Sequence, residues 1–197
     1  MSSPVKRIKM TETNQSFYCL RRTPFGLVAV LWSIHREQPK IRRILLSTPK
    51  VSAKQIVQTS FSDFMPSSCA EVDLVADQIA AFLTGKGIRF SLKIVRLDLC
   101  SRFQQKVLVA EHGIPRGSVS TYQRIAKHLG NANGARAVGT ALATNPFPII
   151  IPCHRAIRSD GTPGGYQGGL QMKRALLKME GIIFDSLGRV ITEELHY

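Results

Sequence analysis

Ile149-Ile150-Ile151-Pro152-Cys153-His154-Arg155-Ala156-Ile157 is the stretch on which the reading of this chain turns. Apolar residues frame one thiol, one imidazole and one guanidinium. The triple Ile predicts a buried strand or strand-like segment. Pro152 ends backbone pairing there, because it has no N–H and a fixed φ. Polar chemistry at the end of a buried apolar run is where a shielded reactive site would lie. A lone cysteine is more often an inert core residue. Here a histidine and a guanidinium adjoin it, and both favour the thiolate, which is the nucleophilic form. Cys153 is therefore the candidate nucleophile, with His154 its candidate base.

Working outward, the 197 residues suffice for one large or two small domains, and a hydrophobic content of 44% is that of a packed globular chain. The apolar runs are too short to span a bilayer. The basic start, Met1-Ser2-Ser3-Pro4-Val5-Lys6-Arg7-Ile8-Lys9, lacks the apolar core of a secretory signal, so the expected location is intracellular, cytoplasmic or, in a eukaryote, nuclear. The formal net charge is +14. Residues 1–95 carry 14 basic and 6 acidic side chains and residues 96–197 carry 13 and 7, so both halves are basic. A polyanionic partner follows, nucleic acid before an anionic membrane. Cys19, Cys69, Cys100 and Cys153 form no Cys-x-x-Cys pair, so neither a compact zinc site nor any other cofactor is expected.

In the first half, residues 17–20, 27–32 and 41–46 predict three strands, separated by the turn Thr23-Pro24-Phe25-Gly26 and the polar stretch His35-Arg36-Glu37-Gln38-Pro39-Lys40. A short helix over 51–57 stands behind a Ser52 cap, and Phe64-Met65-Pro66-Ser67-Ser68 predicts a loop. Apolar residues at 72, 74, 75, 79, 80 and 83 have helical spacing, with Gly85 beyond as a stop. Residues 90–95 predict a closing strand. No catalytic constellation occurs in this half, which is expected to be an α/β scaffold domain over 1–95.

The second half, 96–197, is expected to be a mainly helical domain. Phe103-Gln104-Gln105-Lys106-Val107-Leu108 opens a helix that Gly113 and Pro115 end. Ser120-Thr121-Tyr122-Gln123 has the form of a capping box before a second helix. The turn Asn131-Ala132-Asn133-Gly134 leads into a third over 135–143, giving helix-turn-helix architecture. That third helix is made of small residues with Arg136 as its only charge. A helix reading bases in the major groove would project several Arg, Asn or Gln side chains. A thin helix with one Arg suits close approach to a narrower groove or to the backbone. Gly164-Gly165-Tyr166-Gln167-Gly168-Gly169 allows a flat ligand to approach backbone, with Tyr166 as a wall.

Pro152-Cys153-His154-Arg155 resembles the signature of the O-6-alkylguanine-DNA alkyltransferases, or methylated-DNA–protein-cysteine methyltransferases, and the likeness runs over residues 102–181. The resemblance implies an α/β amino-terminal domain followed by a mainly helical carboxy-terminal domain with a winged-helix-like helix-turn-helix. It implies that Ala135-Arg136-Ala137-Val138-Gly139 is the helix whose Arg136 replaces the extruded nucleotide in the stack, with Ala135 beside it. Tyr122 corresponds to the tyrosine that crowds the phosphate backbone, bonds the guanine edge and supplies a proton to it. Asn145 corresponds to the hinge residue before the active site, and Glu180 to the acid that orients His154. Asn145, Pro148, Arg155, Ala156, Tyr166 and Gln167 are expected around the substrate pocket. Some members hold zinc in the amino-terminal domain; no such ligand set is present in this chain. Leu108 stands where Trp is common, Ala156 where Val is usual and Gln167 where Ser is frequent, while Arg158 adds charge nearby. The change at 108 bears on packing more than on chemistry, and the other three bear on the size of lesion accepted.

The implied function is direct reversal of O-6-alkylguanine damage in double-stranded DNA by a monomer, with no membrane association. The alkyl group would pass irreversibly to Cys153. Two readings from other classes remain. A non-catalytic lesion-sensing or regulatory protein needs the helices and pocket but not Cys153, His154 and Glu180 together. A cysteine hydrolase needs an oxyanion hole and leaves the helix-turn-helix and Arg136 without a role.

Overall fold

The computed structural model describes residues 15–197. The basic stretch at residues 1–9 lies outside the described residues. A meander of three antiparallel strands, β1 (Ser16–Thr23), β2 (Gly26–His35) and β3 (Gln38–Leu46), forms the amino-terminal sheet. β2 and β3 are joined through Arg36 and Glu37, both at positive φ (49° and 62°). That is the backbone a two-residue hairpin requires, achieved without the usual Asn or Gly. Helix α1 (Ala53–Ser60) starts at Ser52, whose hydroxyl and the Gln55 side chain complete a reciprocal capping box.

Residues 65–66, expected in a loop, instead form the short strand β4 (Met65–Pro66), parallel to β1 and outermost in the order β3-β2-β1-β4. Proline is tolerated there because an edge strand has one side with no ladder to complete. Helix α2 (Ala70–Phe82) crosses the sheet. One sheet face packs Phe17, Val30, Trp32 and Ile44 against Val72, Ile79 and Phe82 of α2; the other packs Ala29, Leu31 and Leu45 against Ala53 and Val57 of α1. The strand expected over 90–95 does not form. Leu92–Ile94 is a single 3-10 turn, and only Val95 pairs, with Ile41. Phe90, Leu92, Ile94 and Val95 satisfied a strand pattern, but a strand needs a neighbour to pair with and only Val95 has one.

The second half contains α3 (Arg102–Gly113), β5 (Ser120–Thr121), α4 (Tyr122–His128), α5 (Ala135–Ala143), β6 (Ala156–Ile157) and α6 (Leu170–Met179). A carboxy-terminal hairpin, β7 (Ile183–Phe184) and β8 (Val190–Ile191), follows. α4 and α5 are the expected helix-turn-helix, and Gln104 of α3 fastens its side chain to the Ala141 carbonyl of α5 at 3.1 Å. The α4 cap is Thr121, which accepts from the Arg124 amide, not Ser120. Ser120 is instead paired in β5 and donates its hydroxyl to the His196 carbonyl at 2.6 Å.

The principal core runs without a break from the sheet through α2 into the second half, reaching Leu108, Ile125, Val138, Phe147 and Leu176. Two backbone bonds stitch the halves beside it: Ile44 N–H to the Pro146 carbonyl at 2.8 Å, and Arg96 N–H to the Ile41 carbonyl at 2.9 Å. No helix of the described residues is long and apolar enough to cross a membrane.

Candidate active site

The triple Ile is buried as expected but is not a strand. Ile149 has φ 75°, and the segment folds back on itself, with the Ile151 N–H donating to the Phe147 carbonyl at 2.9 Å. Its apolar run reflects burial on all sides, which a turn can provide as well as a strand. Asn145 organises this turn from within. Fully buried, it accepts from the Phe147 amide at 2.9 Å and donates to the Ile151 carbonyl at 3.1 Å.

Cys153–Arg155 then forms a single 3-10 turn, closed by Arg155 N–H to the Pro152 carbonyl at 2.8 Å. The turn replaces the extended chain on which Cys153 and His154 would point to opposite faces, and of the two only Cys153 lines the cleft described below. Cys153 and His154 are both buried. Phe82 of the amino-terminal half lies 6.0 Å from the His154 ring, and Tyr166 lies edge-on to it at 6.2 Å.

Glu180, at the end of α6, accepts His154 Nε2 at 3.0 Å, Arg155 Nε at 2.8 Å and Arg155 Nη2 at 2.7 Å. Burial acts to raise its carboxyl, but the bonds from His154 and Arg155 outweigh that and hold it down at about 2. Since a carboxylate can only accept, His154 Nε2 carries the hydrogen. Its Nδ1 therefore has a free lone pair and, among the described residues, no partner. Burial lowers the His154 pKa despite Glu180, so the ring is neutral and can accept a proton. Burial also pushes the Cys153 thiol up to about 12, with Asn145 opposing it.

The sulfur opens on a cavity of about 240 Å³, walled by Tyr122, Gly139, Ala143, Gly165, Tyr166 and Gln167. Tyr122 lies between two glycines. A Cβ on Gly164 would stand 2.8 Å from its hydroxyl, and one on Gly139 would touch its ring at 4.0 Å. Gly164 also has φ +73°, so the loop needs glycine there for two reasons. Burial raises the Tyr122 hydroxyl to about 12, keeping it protonated.

Of the expected site residues, Cys153, Tyr122, Tyr166 and Gln167 meet in this cavity. Gln167 is not free to meet a ligand through its amide N–H, which donates to the Asn145 carbonyl at 2.6 Å. Asn145, Pro148 and Ala156 are buried behind the wall, not in it. Arg155 is likewise committed elsewhere: besides Glu180 it donates to the Ile114 carbonyl at 2.6 Å and borders a separate cavity of about 330 Å³ between α2 and α3. Arg136 is exposed on α5, with Ala135 half-buried at its start.

Two buried residues escaped the sequence reading. Lys173 of α6 is wholly buried and donates to the Ala156 carbonyl at 2.6 Å and the Gly165 carbonyl at 3.3 Å. Glu111 of α3 is also wholly buried. Their signal was periodicity: positions 107, 108, 111 and 114, and 173, 176 and 177, each lie on one helix face, so each charge occupies a core position.

Fold and site together define a helix-turn-helix protein with a shielded thiol at the floor of a small cleft. Residues 102–182 match the family model for the 6-O-methylguanine DNA methyltransferase DNA-binding domain. The methylated-DNA–protein-cysteine methyltransferase of Methanothermobacter thermautotrophicus is 46% identical over 106 residues, which span 54% of this chain and 59% of that protein. The Salmonella typhimurium protein of the same name is 32% identical over 167 residues, covering 82% of this chain and 93% of its own length. The crystal structure of Mycobacterium tuberculosis OGT in complex with DNA superposes with a TM-score of 0.67 at 31% identity, covering 84% of this chain and 93% of that one. The chain belongs to the methylated-DNA–protein-cysteine methyltransferase family.

Proposed function

We propose that this protein repairs O-6-alkylguanine in double-stranded DNA by taking the alkyl group onto Cys153, once per molecule. The observation that carries the reading is the buried thiol facing a base-sized cleft beside the helix-turn-helix, with a neutral His154 fixed by Glu180 next to it in the chain. An alkyl carbon within the base stack is out of reach, so the nucleotide must be extruded. Exposed Arg136 on the low helix α5 would fill the gap, while Tyr122 crowds the backbone.

The chemistry follows from the protonation states. A thiol held near 12 is inert at rest and needs a base at the moment of reaction. His154 Nδ1 takes the proton through a water molecule, leaving the imidazolium against Glu180. The thiolate attacks the alkyl carbon, a C–S bond forms and the carbon–O6 bond breaks. Tyr122, still protonated, supplies a proton to the departing guanine. The product is a thioether, which no group in the site can cleave. The family membership and the DNA-bound relative support the reading, as does the basic character of both halves.

The same reading takes the protein as a cytoplasmic or nuclear monomer, with residues 1–95 as scaffold and 96–197 carrying DNA binding and alkyl acceptance. The test is intact mass after incubation with a duplex carrying one O-6-methylguanine. The expected result is a gain of one methyl, mapped to Cys153 and absent in Cys153→Ala, whose affinity for the duplex is retained because basic side chains supply it. No gain, or a methyl on Cys19, Cys69 or Cys100, would overturn the assignment.

A further inference from the structure

Glu111 sits on the last turn of α3, wholly buried, and neither carboxylate oxygen has a hydrogen-bond partner among the described residues. A carboxylate is doubly out of place there. Burial without partners disfavours its charge, and the C-terminal end of a helix repels an anion. The cation that offsets it comes from another element. Lys173 of α6 is equally buried, and each group acts on the other's ionisation.

The two elements converge on the turn that holds the nucleophile. Lys173 Nζ donates to the carbonyl of Ala156, directly after that turn. The end of α3 is fastened to the same turn by Arg155 Nη1 on the Ile114 carbonyl, and the Ile114 amide bonds back to the Glu111 carbonyl at 3.1 Å. Arg155 is already neutralised by its two-pronged contact with Glu180. Lys173 is thus left with two possible anions, the Glu111 carboxylate and the Cys153 thiolate, and the charges of both reach it. The remaining groups facing Glu111 are Arg155 and the Ala156 amide on and just after the turn, the amide short of hydrogen-bond geometry, with Tyr122 on α4 and Tyr197 at the carboxy terminus, while Arg158 faces Lys173 as a like charge. The two phenols stay neutral and Arg155 is committed, so none of them replaces Lys173.

Building on the alkyl-transfer reading, we propose that Glu111 governs the ionisation of Cys153 by competing with its sulfur for the Lys173 ammonium. It is a positioning residue that touches no substrate. The ammonium stays on the Ala156 and Gly165 carbonyls; protonated Glu111 leaves its field to the sulfur, and ionised Glu111 offsets that field and adds its own repulsion to the thiolate. Burial pushes Glu111 up to about 8 and Lys173 down to about 8, which brings the exchange close to neutral pH. Rising pH would normally expose more thiolate. Ionisation of Glu111 works against that rise and limits the reactivity of an irreplaceable thiol.

The test uses iodoacetamide on the full-length protein, following Cys153 by peptide mapping from about pH 6 to about pH 9.5, across both ionisations. Glu111→Gln is expected to match the wild type at the acid end, where Glu111 carries its proton, and to react about tenfold faster at the alkaline end, as removal of one nearby negative charge predicts. Glu111→Asp is expected to restore the wild-type profile. Glu111→Leu carries the same expectation as Gln and serves if the amide variant fails to fold. Acceleration by one ratio at every pH, or none at all in a cooperatively melting Gln or Leu variant, overturns the inference. Because no DNA is present, this outcome is independent of the mass experiment: failure of methyl transfer there would remove the functional reading and leave the thiol profile to stand or fall alone.

Discussion

Glu180→Gln is expected to be among the most destabilising single substitutions in the second half, and the geometry gives its size. The carboxylate accepts one bond from His154 and two from Arg155, with both partners buried. It is held at about 2 against a free value of 4.5, and each tenfold in proton affinity is about 1.4 kcal/mol. About 3 kcal/mol of folding free energy therefore depends on the charge. Breaking a buried pair while leaving the other ion stranded costs a similar roughly 3–5 kcal/mol. Urea unfolding of the two proteins at pH 7 measures the difference, and melting should fall by roughly 6–12 °C for a chain of this size. The sign follows from the lowered carboxyl: its contribution is complete above pH 4.5 and is lost as pH falls through about 2. The gap between wild type and variant must therefore narrow over that window. A difference below about 1 kcal/mol at pH 7, or a gap indifferent to acid, would refute the reasoning.

Arg136→Ala should slow repair of duplex DNA much more than attack on free O-6-benzylguanine, since only the duplex has a vacated stack to fill; equal loss on both would place Arg136 in pocket structure. Asn145→Ala strands the Phe147 amide in the core and removes one of the two bonds to the Ile151 carbonyl, which keeps the Cys153 amide, so calorimetry should show a loss of about 1–3 kcal/mol, the cost of one buried unpaired group. Alkylated protein should melt below the free form, modestly for methyl and further for benzyl, because the sulfur is buried while the cleft absorbs part of the added volume; extra bulk in a packed site costs about 1–3 kcal/mol. A higher melting temperature after reaction, or repeated turnover, would contradict this.

The meander was legible because its segments are rich in β-branched, aromatic and other apolar residues and are bounded by turn-forming stretches; burial alternates only in parts of β1 and β3, and in β2 Val28 to Ser33 are all buried. Ser52 announced α1 by its chemistry, and Cys153, His154 and Glu180 were legible through a local signature and its resemblance. Runs in which every residue was buried carried less information. Ile149, Ile150 and Ile151 report exclusion from water on all sides, and that is equally true of a strand and of a folded-back turn. The run at 90–95 is as long as those read correctly at 27–32 and 41–46, and it failed because only Val95 finds a strand beside it. Met65 and Pro66 pair because β1 lies beside them, a long-range circumstance with no local trace. Glu111 and Lys173 were overlooked because a charged residue is expected at the surface. Only its position in the helical period marks it as internal, and only the fold shows that their two helices meet at the turn carrying Cys153.

Ile149 combines a left-handed backbone with a side chain branched at Cβ, at a cost of roughly 1–2 kcal/mol relative to a right-handed or extended geometry. Local preference would straighten the chain at this residue. Core packing keeps it bent, since Phe147, Ile149, Ile150 and Ile151 are each at most 1% exposed. The bend lies four residues ahead of the sulfur, so the aim of the nucleophile is set under tension by side chains that need not touch the substrate. Loosening that packing is expected to release the bend before it unfolds the domain. Conservative trimming at Phe147 or Ile150 would then yield a protein that still folds and still binds DNA but presents its thiol in the wrong place, and an activity screen would misfile it as a defect of chemistry.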